Sequence, residues 1–329
     1  MILVNKVAEE EYMAKSINGV DGRIEDAARA GWLYYVAQNT QDEIAKKMGV
    51  SRQSAQRLVS LAVTAGLVKI RLDHPVARCM DLAQSLQHKY GLQSCEVTLT
   101  DPASDDPALG IAQVAANEME RYLGRKKPII MALGTGREIR AAVDDIPTMN
   151  CPHHRIVSLV GSLAPDGSAN DNDPLNRIGD ITHAPRHPLS VPVISSTAKE
   201  RDVICAQKPI RRNFELARKA DIAFVGIGEL DDTPPLLSDG FISWEELKEL
   251  QSLGAVGEIL GWSFDAQGQL LNCPINNRVS SVDLPALASI ATVGVARGAN
   301  KLPAIKAALA GNWLSGLITD EATAEMLLR

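Results

Sequence analysis

The sequence predicts a two-part α/β protein, with a small helical part near the N-terminus and a larger part built around a parallel sheet. Two helix-type patterns joined by a glycine occupy residues 40–66. From residue 92 onward, short apolar runs alternate with amphipathic segments, which is typical of a doubly wound sheet. At 329 residues the chain is long for one core and suits two domains.

Composition and charge narrow the functional classes. Apolar residues make up 45% of the chain and charged residues 22%, as in ordinary globular proteins. A net charge of -6 excludes a histone-like protein that coats nucleic acid by bulk charge. Residues 41–75 carry six basic and three acidic side chains, whereas residues 76–329 sum to -7. The sequence therefore predicts a small basic head on an acidic body.

The cysteines and the apolar runs indicate the cellular compartment of the protein. Five scattered cysteines contain no close pair, so we expect no disulfide framework and a reducing, cytoplasmic environment. The N-terminus lacks the pattern of a secretory signal, and no run approaches the ~20 apolar residues of a membrane span. Prolines break any helix that would align Cys151 with His153-His154, or His183 with His187, and the spacings match no zinc pattern. We predict neither a metal nor a cofactor.

The first element is expected to be an N-terminal arm over residues 1–22, because this segment ends in turn-forming Asn-Gly and Asp-Gly pairs. A helix is then predicted over residues 23–38. Its predicted inward side consists of Ala27, Ala30, Gly31 and Tyr34.

Two further helices follow. Thr40 is a good N-cap for a helix over Gln41–Met48, and Glu43 stands at the capping-box spacing. Gly49 can take the positive φ that a sharp interhelical turn requires. Ser51 caps the next helix, over residues 52–65. Its buried stripe is predicted at Ala55, Leu58, Val59 and Ala62.

The outward face of this third helix is polar and basic, as in helices that read the major groove of DNA. Residues 67–72 alternate apolar and basic side chains like a wing strand, so we predict a winged helix-turn-helix over residues 23–75. A plain helical hairpin with a solvated face is the alternative. The predicted DNA-binding residues are Thr40, Gln41, Lys46, Ser51, Arg52, Gln53, Gln56, Arg57 and Lys69, of which Arg52 and Gln53 are expected to contact bases.

A connector helix is predicted over residues 76–91, with Val76, Met80, Ala83, Leu86 and Tyr90 on one face. A Rossmann-like domain over residues 92–329 follows. Its strands are predicted at 95–100, 128–133, 155–160, 222–227, 256–262 and 291–296, and its helices at 109–123, 199–206, 209–219, 244–253, 302–310 and 321–328.

Glycines follow several of these strands, at the sheet edge where doubly wound proteins bind ligands. The clearest is Gly134-Thr135-Gly136-Arg137, which opens a helix and offers backbone N–H groups to an anion such as phosphate. It lacks the lysine of a Walker loop and the third glycine of a dinucleotide loop, so a plain tight turn is the alternative. Gly161-Ser162, Gly226–Gly228 and Arg297-Gly298 follow other strands.

From about Gly22 onward the chain resembles the SorC/DeoR-type sugar-binding transcriptional regulators. The resemblance is carried by TQDEIAKKMGVSR, LGTGR, LVGSLAPDG, ADIAFVGIG, GAVGEILGWSFDAQG and, most specifically, KLPAIKAALAGNWLSGLITDEATAEMLL. It implies an effector domain similar to the glucosamine-6-phosphate deaminase and ribose-5-phosphate isomerase fold, which keeps a sugar-phosphate pocket without being an enzyme. It also implies a homodimer or homotetramer on a two-fold operator.

The resemblance also implies an effector site. Gly134, Thr135, Gly136 and Arg137 would hold a phosphate, Lys301 would add a cation, and Asn170, Asp239 and Asp265 would read hydroxyl groups, with Gly161 and Ser162 nearby. Three departures from the family pattern are Glu138, where Thr is usual, Arg297, where a Gly-Gly pair is usual, and Ser162, where Gly is common. Either Arg297 compensates for the charge of Glu138 or the effector differs in charge.

The predicted function is a cytoplasmic, DNA-binding transcriptional regulator of a carbohydrate-catabolism operon. Its partners would be double-stranded operator DNA and a small sugar, polyol or sugar-phosphate effector. One alternative is a sugar-phosphate isomerase or deaminase with an accessory head, although no acid or base stands out beside the glycine loops. Another is a protein-interaction module whose basic head binds a protein partner instead of DNA.

Overall fold

The computed structural model describes residues 22–68, 76–100, 109–164, 166–168 and 173–329. The chain divides into two compact units, residues 1–73 and residues 74–329. Each has its own apolar core. Within the described ranges, no helix combines the length and the apolar character that crossing a bilayer requires.

The first unit is helical. Helix α1 covers residues 22–31 and continues as one π-helical turn over Trp32–Val36. The predicted inward position of Tyr34 is wrong, because the wider π turn shifts the side chains away from the 3.6-residue period. Tyr34 is 37% exposed, and Leu33 packs against the core instead.

The two helices that follow have the predicted caps. In α2 (Gln41–Met48), Thr40 and Glu43 form a reciprocal capping box, and Gly49 ends the helix with a φ of 69°. Helix α3 (Arg52–Thr64) begins at Ser51, whose hydroxyl accepts a hydrogen bond from the backbone N–H of Ser54 at 3.1 Å. The predicted helix-turn-helix is confirmed. The residues that close its core are Ala30, Ile44, Ala55 and Val59.

The predicted wing is only partly covered. Val68 follows α3 in a bend rather than in a strand, and its backbone N–H donates to Ala62 O. Residues 69–75 lie outside the described residues, so the wing and Lys69 remain predictions.

The second unit is built on a parallel sheet whose described strands run in the order β1-β10-β9-β5-β2-β3-β4. The strands are β1 (Ser94–Thr98), β2 (Ile130–Leu133), β3 (Arg155–Leu163), β4 (Arg186–Pro192), β5 (Ile222–Gly226), β9 (Thr292–Val295) and β10 (Gly316–Asp320). Strands β4 and β10 were not predicted from the sequence.

Helices cover both faces of this sheet. Alternate residues of β5 enter opposite cores, since Ala223 belongs to one apolar cluster and Phe224 to the other. This is why the strands read as continuous apolar runs. The helices are α4 (Ala77–Tyr90), α5 (Leu109–Leu123), α6 (Arg137–Asp145), α7 (Leu175–Thr182), α8 (Ala198–Cys205), α9 (Lys208–Ala217), α10 (Pro235–Ser238), α11 (Trp244–Ser252), α12 (Leu284–Ala288), α13 (Leu302–Ala310) and α14 (Glu321–Leu328).

Helix α4 is docked on this unit near both ends, and near its start Arg78 pairs with Glu321 and Glu325 of α14. Lys89 Nζ and Tyr90 Oη donate hydrogen bonds to the carbonyl of Leu327 at 2.8 and 2.9 Å. The predicted inward position of Met80 is wrong, since Met80 is 54% exposed while Cys79 is buried. The helix is rotated so that Cys79 and Leu86, seven residues apart, form the buried stripe.

The strand predicted over residues 256–262 is a hairpin instead. Strands β7 (Ala255–Ile259) and β8 (Trp262–Asp265) pair antiparallel and form a separate sheet with β6 (Gly228–Glu229). Leu260 and Gly261 both take positive φ, at 56° and 85°, which is the geometry of a two-residue hairpin turn. The apolar Leu260 at the first turn position concealed this turn, because Asn, Asp or Gly is usual there.

Candidate ligand site and recognition helix

A cavity of about 330 Å³ lies in the second unit at the carboxyl ends of the sheet strands. The strand order reverses between β2 and β5, because β3 and β4 follow on one side and β9 and β10 on the other. Such a reversal opens the crevice in which α/β sheets bind ligands. Thr135 lines the cavity after β2, Ile227 after β5 and Arg297 after β9. The volume suits a small molecule.

The glycine loop after β2 forms one wall. Gly136 has a φ of 128° and precedes α6 without a side-chain cap, which leaves N–H groups of the first helical turn for a ligand or water. Gly134 has a packing role: a Cβ there would lie 2.9 Å from Leu260 Cδ2 and 3.4 Å from Val225 Cα. A larger residue at this position would require the Leu260 side chain of the hairpin to shift.

Lys301 lies at the centre of a network of carboxylates. Its Nζ donates to Glu138 Oε1 at 3.0 Å and lies 4.0 Å from Glu229 Oε2. Asn300 Nδ2 donates to the other oxygen of Glu229 at 3.2 Å. The side chains of Lys301, Glu138 and Glu229 are only 14%, 15% and 11% exposed, so solvent screens this network weakly.

Two arginines complete the cationic lining. Arg297 Nη1 lies 3.7 Å from Asp320 Oδ2, and Asp320 is itself nearly buried. Arg137 is 71% exposed and its Nη2 lies 3.9 Å from Asp239 Oδ1. Arg297 thus pairs with Asp320, and Glu138 pairs with Lys301. The charge of Glu138 is therefore balanced by Lys301 and not by Arg297.

Glu258, on β7, is the most perturbed acid in the cavity. Burial raises the pKa of Glu258 to about 7, against the opposing effects of the Gly261 N–H and of Lys301, while Glu229 raises it further. The Gly261 N–H donates to Glu258 Oε2 at 2.6 Å. A carboxyl group with such a pKa can both donate and accept a proton near neutral pH.

Five of the predicted effector residues line this one cavity: Thr135, Gly136, Arg137, Asp239 and Lys301. The other predicted residues have different positions. Gly161 faces the backbone of β4, where a Cβ would lie 2.6 Å from two carbonyl oxygens, and Ser162 follows it along β3. Asp265 accepts hydrogen bonds from the N–H groups of Gln267 and Gln269 in a turn. Asn170 lies outside the described residues.

Sequence reasoning missed Glu229, Glu258 and Asn300 as cavity residues. Glu229 and Glu258 lie in β6 and β7, which pair in the small sheet, and Asn300 stands next to the predicted Lys301. The available signal for Asn300 was its proximity in sequence to Lys301. Glu229 had a similar signal, because it directly follows the glycine run Gly226–Gly228. Glu258 had none, because its place at the cavity depends on the hairpin.

In the first unit, the predicted DNA-contacting side chains of α3 are exposed: Arg52, Gln53, Gln56 and Arg57. Arg52 Nε lies 3.4 Å from Asp42 Oδ1, with both side chains about 70% exposed. An exposed pair of this kind contributes about 0–1 kcal/mol and can be exchanged for a phosphate or a base. Thr40 and Ser51 use their hydroxyl groups as helix caps.

Comparisons with known proteins agree with this architecture. Residues 74–329 match a family model described as "Putative sugar-binding domain". The erythritol catabolism regulatory protein EryD of Brucella abortus is 35% identical over 302 residues, covering 92% of this chain and 96% of EryD. The transcriptional regulator LsrR of Klebsiella pneumoniae is 29% identical over 317 residues, covering 92% of each chain.

A solved structure extends the likeness to the whole fold. The full-length sorbitol operon regulator SorC of Klebsiella pneumoniae matches with a TM-score of 0.69 at 23% identity, covering 93% of this chain and 99% of SorC. The family model spans more than half of the chain, and EryD is similar over nearly all of its length. The chain therefore belongs to the SorC/DeoR-type family of sugar-binding transcriptional regulators.

Proposed function

We propose that this regulator binds operator DNA through α3 of its first unit and a small carbohydrate in the cavity of its second unit. Ligand occupancy then changes the affinity for DNA, which is a coupling free energy between two sites. The observation that carries the proposal is that Thr135, Gly136, Arg137, Asp239 and Lys301 line one cavity at the reversal of strand order, inside the region that matches the family model.

The domain bounds of the proposal follow the sequence: residues 23–75 bind DNA, 76–91 connect, and 92–329 bind the effector. Relatives named for erythritol catabolism and the sorbitol operon make a sugar or polyol the effector class to test. The DNA role assigns the protein to the cytoplasm. A homodimer or homotetramer suits a two-fold operator, and light scattering of the full chain measures this state.

The DNA role is tested by selecting duplexes from a random library with the full chain and then measuring affinity by fluorescence anisotropy. The variants Arg52→Ala and Gln53→Ala are each expected to weaken the selected site by about 1–3 kcal/mol. Arg212→Ala, which removes an exposed arginine on α9, serves as the matched control. Unchanged DNA affinity in both head variants would favour a head that binds a protein.

A second candidate function is catalysis in the same cavity. Glu258 favours it, because a general acid–base near neutral pH needs a pKa close to 7. The relatives named above are regulators, which favours binding without turnover. If the full chain turns over pentose or hexose phosphates and Glu258→Gln does not, the cavity is catalytic, and the proposal of ligand binding without turnover is wrong.

A further inference from the structure

Each cation that lines the cavity lies within 4 Å of a carboxylate. The pairs, with their shortest N···O distances, are Lys301–Glu138 at 3.0 Å, Arg297–Asp320 at 3.7 Å and Arg137–Asp239 at 3.9 Å. Lys301 has a second carboxylate, that of Glu229, at 4.0 Å. The positive charge that a phosphate ester would need is therefore largely balanced by the protein itself.

Among the cavity carboxylates, that of Glu138 opposes phosphate binding most strongly. This residue is in the first turn of α6, where its own negative charge interacts favourably with the helix N-terminus. A phosphate held by the free N–H groups of that turn and by Lys301 would lie beside the Glu138 carboxylate. Because Glu138 and Lys301 are 15% and 14% exposed, little water separates these charges.

The hydrogen-bonding groups of the cavity favour hydroxyl groups instead. Glu229 Oε2 is a buried acceptor and Arg297 Nε a buried donor, and neither has a hydrogen-bond partner among the described residues. A hydroxyl group both donates and accepts, so neighbouring hydroxyls can satisfy both atoms. A phosphate dianion only accepts hydrogen bonds, so the group beside Glu229 Oε2 is a hydroxyl group. The pairing of Lys301 with Glu138 is what disfavours an ester elsewhere in the cavity.

We infer that the effector is an uncharged polyhydroxy compound, a sugar or polyol without a phosphate ester. Glu229 accepts a hydrogen bond from one hydroxyl group and Arg297 donates to another, while Lys301 stays paired with Glu138. This inference rests on the proposed function, in which the cavity holds the effector. Hydroxyl groups, and not the predicted phosphate, then bind at Gly134–Arg137.

The test compares three full-length proteins: the wild type, Glu138→Gln and the control Asp144→Asn. Glu138→Gln keeps the side-chain shape and removes the charge beside Lys301. Asp144→Asn removes a carboxylate from the opposite end of α6, where Asp144 pairs with Arg140 and Arg177. Thermal shifts are measured with erythritol, xylitol and sorbitol, with their monophosphate esters and with inorganic phosphate, and affinities are taken from the concentration dependence.

The wild type and Asp144→Asn are expected to bind at least one polyol, and its ester more than about tenfold more weakly. Glu138→Gln is expected to gain more than about tenfold in affinity for the ester or for inorganic phosphate. Tighter binding of an ester than of its parent polyol by the wild type, or no gain in Glu138→Gln, overturns the inference and leaves the proposed function intact. If no compound stabilises any of the three proteins, the carbohydrate site itself is refuted.

Discussion

Replacing Glu258 by glutamine tests whether this cavity contains a carboxyl group that titrates near neutral pH. Glu258 has a pKa of about 7 in the folded chain, against an ordinary value of 4.5. Each pKa unit between the folded and unfolded states corresponds to about 1.4 kcal/mol. A raised pKa favours the protonated acid in the folded state, so this stability is fully present below pH 4.5 and is lost as the pH rises through 7.

The free energy of unfolding of the wild type therefore carries a contribution from Glu258 that falls by about 3 kcal/mol across this whole window, and by about 2 kcal/mol between about pH 5.5 and pH 8. Glutamine can still accept the Gly261 hydrogen bond but does not titrate. Urea unfolding at several pH values measures the difference between variant and wild type.

Relative to the wild type, Glu258→Gln should gain about 2 kcal/mol in stability as the pH rises from about 5.5 to 8. Glu215→Gln, an exposed change on α9, is the matched control and should show no such gain. Lys301 and Glu229 also contribute to this pH dependence, because Lys301 lowers and Glu229 raises the pKa of Glu258. A difference between Glu258→Gln and wild type that stays constant within about 0.5 kcal/mol over this range would refute the reasoning.

Three other changes have defined outcomes. Ile44→Ala removes a fully buried side chain from the small head core. The free energy of unfolding of the head should fall by about 2–5 kcal/mol, and DNA binding should fall with it. Hydrogen exchange in the first unit measures this loss, and Val63→Ala, at an exposed position, is the control. Thr40→Ala removes half of the capping box and should cost α2 about 1 kcal/mol, seen as faster exchange of its first-turn amides. Gly257→Ala would place a Cβ 2.4 Å from Ala304 Cβ. Because this clash displaces the hairpin from α13, the melting temperature should fall and ligand binding should weaken. An unchanged melting temperature together with unchanged ligand affinity would contradict this packing.

Local chemistry made much of this fold predictable. The capping box at Thr40, the left-handed Gly49 and the Ser51 cap each act within a few residues, so their spacing determines the helix ends. Helix α5 was predicted with its observed bounds, Leu109–Leu123, because its apolar period is regular.

Predictions from the sequence were wrong where long-range contacts or unusual backbone geometry determine the structure. Tyr34 lies in a π turn that breaks the period, and residues 256–262 contain a turn at Leu260 and Gly261 without the usual Asn or Asp. The ion pair of Glu138 with Lys301 spans the sheet edge and joins residues far apart in the chain. No sequence periodicity encodes such a pair, so the charge balance of the cavity could be obtained only from the structure.

The position of β1 at the edge of the sheet has a consequence for synthesis on the ribosome. Residues Ser94–Thr98 pair with Gly316–Asp320, so the first described strand of this sheet to be translated waits for the last one before it can pair. The contacts that close the core of the head are all local by comparison. All residues of the head core have thus been synthesised before the sheet on which the ligand cavity is built can be completed.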